Sequence, residues 1–125
     1  MDKINVKFTP QEIEMFYSII THATHGLGLG YDRNKTKESN DDLTNPIILA
    51  RNEFTKHIDN DFSGNIPKEV LKQFLDAYTL SCEALDPKEM QTITNYEWEE
   101  TQYLREKLRN IIEKNVGING VSHRL

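Results

Sequence analysis

Ile4, Val6 and Phe8 alternate with Asn5 and Lys7, the period of a short strand with one buried face. The period then changes. Ile13, Phe16, Tyr17 and Ile20 follow helical spacing, and the start of that helix is punctuated. Thr9 stands at the N-cap, Pro10 in the first turn and Glu12 at the third position of a capping box, with Phe8 and Ile13 placed as a hydrophobic staple. Gly26 is a natural stop. A second stripe, Ile47, Ala50, Phe54 and Ile58, opens at Asn45 and Pro46 and ends at Asp59, Asn60 and Asp61. The third begins near Pro67 and carries Leu71, Phe74, Leu75, Tyr78, Cys82 and Leu85, which predicts the central helix. Asp86, Pro87 and Glu89 repeat the capping box, with Leu85 and Met90 as staple partners, and the last helix runs toward Asn115 and Gly117. Thr94 and Glu97 are spaced as one more box, so a single long helix and two helices joined near Thr94 both fit.

These elements predict a single all-α domain of four to five helices over residues 1–125, with a short terminal strand pair as its only β-structure. Residues 1–8 read as an N-terminal extension, 26–44 as a long polar loop and 117–125 as a flexible tail. The tail offers Val116, Ile118 and Val121 as a partner for the first strand, weakened by Gly117 and Gly120.

A chain of 125 residues can bury a real core without staples. No apolar run approaches the roughly 18 residues needed to span a bilayer, and Met1 to Phe8 lacks the core of a signal peptide, so a cytoplasmic, non-membrane protein is expected. Cys82 is the only cysteine and lies on an apolar stripe, which points to a buried, inert thiol.

The formal net charge of -5 argues against direct nucleic-acid binding, which needs clustered Lys and Arg. Between Glu83 and Glu100 six acids stand against the single base Lys88, so this stretch holds a charge equal to that of the whole chain.

Asp59, Asp61 and Ser63 fall at alternating positions of DNDFSGNI, followed by Gly64 and the apolar Ile66. This segment resembles the loop of an EF-hand calcium site, with those three residues at positions one, three and five, Gly64 at the bend and Ile66 at the eighth position. The resemblance implies a calcium-responsive helix-loop-helix. It departs at position twelve, where Val70 replaces the bidentate glutamate, and Glu69 lies one residue early, about 100° round the helix. A turn rich in Asp, Asn and Gly between two helices explains the same residues.

His22 and His25 lie three apart, a spacing that puts two rings on one face for a metal, with Asp32, Glu53 or His57 as third ligand. Histidines at a helix C-terminus also answer the helix dipole, and that reading is preferred. Gly26, Gly28 and Gly30 follow a helix instead of a strand and lack a Gly-Lys-Ser/Thr ending, so they do not form a phosphate loop. Arg33, Lys35 and Lys37 belong to a solvated loop. No catalytic residues and no cofactor are predicted.

The remaining constellation is YEWEETQY. Tyr96, Glu99, Glu100 and Tyr103 share one helical face, Glu97 adds a third acid, and Trp98 sits about 200° round from Tyr96. Aromatics bury large area at interfaces and carboxylates steer a basic partner, so these six residues are the expected partner-binding site. The expected function is a small acidic binding protein without catalysis that docks on a larger macromolecule and modulates or inhibits it, as phage and mobile-element anti-defence proteins do. The alternatives are the EF-hand-like metal responder and a small-molecule or nucleotide sequestering homo-oligomer built on the glycine-rich loop.

Overall fold

The computed structural model describes the backbone of residues 2–27 and 37–121, and the side chains of 2–25 and 45–114. Strand β1 is Lys3–Lys7, α1 is Pro10–His22 and continues as a π-helical turn over Ala23–Leu27, and α2 is Lys37–Lys56. Strand β2 is Ser63–Pro67 and α3 is Lys68–Ala84. The one-turn α4, Pro87–Glu89, runs into a second π-helical turn, Met90–Thr94, and α5 is Trp98–Val121. Among the described residues the only sheet is the β1–β2 pair, so the fold is all-α with a short strand pair.

Both capping boxes form as the sequence requires. The Thr9 N–H donates to Glu12 Oε1 at 2.8 Å while the Glu12 N–H donates to Thr9 Oγ1 at 3.1 Å. Asp86 and Glu89 exchange the same two bonds at 2.7 and 3.3 Å. Each satisfies helix-end donors that would otherwise lack partners.

The stripe on α3 is buried from Leu71 through Phe74, Tyr78 and Cys82 to Leu85. It meets Phe16 of α1 and Phe54 of α2 in an aromatic cluster. Phe54 and Phe74 stack with centroids 3.8 Å apart and planes 4° from parallel. Phe16 meets Phe8, Phe74 and Tyr78 edge-on at 5.4, 4.9 and 4.9 Å. The Tyr78 hydroxyl donates to the Thr101 carbonyl at 3.0 Å, which ties α5 to the same cluster and pairs a buried polar group.

Two expectations are corrected, and the choice left open at Thr94 is decided. First, β1 pairs antiparallel with β2, Ile4 opposite Ile66, and not with the C-terminal tail. The tail is unavailable because α5 continues to Val121 and uses its own backbone groups in the helix. Residues Ser122–Leu125 lie outside the described residues. Far from being an extension, the N-terminal strand puts Ile4, Val6 and Phe8 into the core.

Second, α2 begins at Lys37 instead of Asn45, with Pro46 in its interior. A proline there removes one backbone hydrogen bond and crowds the preceding turn. Beyond it Ile47, Ala50 and Phe54 are buried, and packing against α3 holds the helix across the defect. Of the stretch expected as a loop, Lys37–Thr44 is thus helical. Gly28, Gly30, Asp32, Arg33 and Lys35 lie outside the described residues.

Third, the chain does break after Thr94, but Thr94 does not cap α5. Its hydroxyl donates to the Met90 carbonyl and accepts the Tyr96 N–H. Asn95 takes a left-handed conformation with φ 66°, and the α5 cap is the Glu97 N–H donating to Glu100 Oε1 at 3.2 Å.

The turn before β2 depends on Gly64. A Cβ there would lie 2.0 Å from the His57 carbonyl oxygen, so backbone would have to move. Gly64→Ala should therefore lower stability by about 1–3 kcal/mol, read as a lower denaturant midpoint; an unchanged midpoint would mean the turn lies elsewhere. Phe74 has no exposed surface, and Phe74→Ala should cost about 3–5 kcal/mol in the same measurement.

Candidate functional site

The N-terminal ends of α1 and α5 are held side by side. Glu12, already bonded to Thr9, also receives Lys107 Nζ at 2.7 and 2.9 Å, and the ammonium lies 5.7 Å from the Phe8 ring centroid. A partly buried ion pair shared with a cap and a ring is worth more than an exposed one, so Lys107 acts as a pin between the two helices.

Between these ends lies an open groove of about 520 Å³. Its floor is apolar, Met15 and Leu104, both buried. Thr9, Gln11 and Glu12 form the α1 wall, and Glu99, Glu100 and Tyr103 the α5 wall. Tyr103 is 73% exposed, the most exposed large apolar side chain among the described residues. Glu99 makes no ion pair among them, whereas Glu100 is held by its cap.

Of the six residues the sequence singled out, the groove brings together Glu99, Glu100 and Tyr103. Glu97 is exposed one residue before α5 and does not line the groove. Tyr96 precedes the helix, so it does not share the α5 face, and it packs half-buried against the core. Trp98 is also half-buried against the core and faces another way. It lines a second, smaller cavity of about 280 Å³ between α3 and α5 with Thr79, Cys82, Glu83, Gln102 and Arg105. Sequence reasoning missed the whole α1 wall. Met15 falls off the stripe through Ile13, Phe16 and Ile20, and nothing in the spacing of Lys107 announces its pairing with Glu12 across the fold.

Cys82 is buried, and burial pushes its thiol up to about 11, so it is neutral at physiological pH and is not poised as a nucleophile.

The segment resembling a calcium loop is built differently from one. The left-handed residue is Phe62, φ 63°, at loop position four, while Gly64 makes room for the His57 carbonyl. Asp61 accepts both the hydroxyl and the N–H of Ser63, at 2.6 and 3.2 Å, which holds its carboxylate below the usual range and ties it into the turn. Val70, at position twelve, packs against the core, and Glu69 is exposed on α3. Among the described residues, no three His, Cys, Asp or Glu side chains are grouped to hold a metal, His22, His25, Glu53 and His57 included. Among the same residues, no helix is long and apolar enough to cross a membrane.

Compared with protein-family models, curated proteins and solved structures, the chain matches none.

Calorimetric titration with calcium should show no binding tighter than about millimolar, because the twelfth ligand is absent and Asp61 is already satisfied. A micromolar isotherm abolished by Asp59→Ala would reverse this reading of the loop.

Proposed function

We propose that this chain is a non-catalytic binding protein that docks on a larger protein with a basic surface, through the groove between α1 and α5, and modulates or inhibits it. The observation that carries the reading is the exposed Tyr103 ring at the lip of an apolar groove whose same wall bears Glu99 and Glu100. Tyrosine buries much area at little entropic cost and is over-represented among residues that dominate binding energy. The charge of the wall selects the partner. Glu97, Glu99 and Glu100 lie within one turn, and only Glu100 is engaged locally, so a face carrying Lys and Arg gains attraction that an acidic face is denied. Met15 and Leu104 then receive an apolar side chain of the same partner. The acids of the first turn also favour the helix itself through its dipole, which explains the charges but not the exposed ring.

The test is affinity capture from the native host with the wild-type chain, identification of the captured protein, and measurement of its association rate. Glu97→Lys with Glu99→Lys should slow association strongly at low salt and little at high salt, because screening already suppresses steering beyond about 10 Å at 0.1 M. Glu100 is left in place because its carboxylate caps α5. Tyr103→Ala should weaken binding roughly 30-fold or more, the scale of an interface anchor, with the melting temperature little changed. Binding untouched by both variants would move the interface off this face.

A further inference from the structure

The cavity between α3 and α5 is lined by opposite charges that do not neutralise one another. Thr79, Cys82 and Glu83 recur at helical spacing on α3 and face Trp98, Gln102 and Arg105, which do the same on α5. Arg105 is three-quarters buried, with 23% of its side chain exposed, and its nearest carboxylate is Glu106, 3.7 Å from Nη2. Glu106 lies closer to Arg109, at 3.3 Å, so Arg105 has no carboxylate of its own. Its Nε is buried without any acceptor. A buried charged donor left unpaired is costly, so the protein alone does not satisfy the Arg105 guanidinium. Across the cavity Glu83 makes no ion pair among the described residues.

We propose that this cavity binds a small zwitterion, an α-amino acid, with its carboxylate on the Arg105 guanidinium and its ammonium on Glu83. A guanidinium presents a planar fork of donors that a carboxylate matches in two parallel hydrogen bonds. A simple anion would be repelled by Glu83 and a simple amine by Arg105, so a ligand carrying both charges is selected over either alone. The Trp98 ring and the neutral Cys82 thiol give the body of the ligand an apolar wall, and Thr79 and Gln102 add a hydroxyl and an amide. The volume of about 280 Å³ lies just below the usual span of ligand sites, which suits an amino acid better than a nucleotide. This site uses a different face of α5 from the docking groove and stands or falls separately from it.

The chain has a single tryptophan, so Trp98 fluorescence reports on the cavity directly. The full chain is titrated with each of the twenty α-amino acids, and with the deaminated acid and decarboxylated amine of any that respond. At least one amino acid should shift the Trp98 emission and raise the melting temperature, its acid and amine doing neither. Arg105→Gln should weaken that binding about tenfold or more, and Arg105→Lys, which keeps the charge but loses the fork, should also weaken it. Glu83→Gln, an exposed site whose change leaves the fold intact, should let the deaminated acid bind. No response to any amino acid at about 10 mM, or a response unchanged in both Arg105 variants, would overturn the proposal.

Discussion

Phe16 has no exposed surface, and the rings around it come from α2, from α3 and from the residue that follows β1. Phe8 follows β1, Phe54 belongs to α2, and Phe74 and Tyr78 belong to α3. Edge-on and offset aromatic pairs contribute about 0.5–1.5 kcal/mol each beyond the area they bury, and they fix angles as well as distances. The cluster therefore sets how α1, α2 and α3 cross. Through the Tyr78 hydroxyl on the Thr101 carbonyl it also sets the height of α5 against α3. Both candidate sites are read from α5, so both inherit their geometry from this cluster.

Local punctuation was legible in the sequence because its physics is local. A capping box needs residues three apart and nothing else, and both Thr9–Glu12 and Asp86–Glu89 close as their spacing demands. The α3 stripe was legible because one helix face is buried along its whole length. The failures have a common cause in tertiary context. Pro46 reads as a helix start, yet burial of the face that follows carries the helix through it. The strand at Lys3–Lys7 has a clear alternation, but its partner lies about sixty residues away, and alternation carries no address. Thr94 was spaced to cap α5, and its hydroxyl went instead to the Met90 carbonyl, an equally local competitor.

The acidic run from Glu83 to Glu100 shows how a feature continuous in sequence is divided in space. Asp86 and Glu89 are consumed by the α4 cap, and Glu100 by the cap of α5. Glu83 belongs to α3 and borders the small cavity, Glu99 lines the groove, and Glu97 is exposed one residue before α5. Net charge over a window thus overstates the field at any one surface. What remains unengaged is two carboxylates beside an exposed ring, a smaller patch than the sequence suggested but one with a definite floor and wall.

The division between Trp98 and Tyr103 follows from helix geometry alone. Trp98, Gln102 and Arg105 step by four and three residues and stay on one face, whereas Glu99 with Tyr103 and Glu100 with Leu104, each pair four apart, line the next. Five residues separate Trp98 from Tyr103, which is about 140° of rotation, so one helix cannot present both rings to one partner. An interface anchored on Tyr103 leaves Trp98 to the α3 side, where its half-buried ring closes a cavity instead of a contact surface. The two aromatics of this segment are therefore assigned to different surfaces by the pitch of α5, before any property of a partner or ligand is considered.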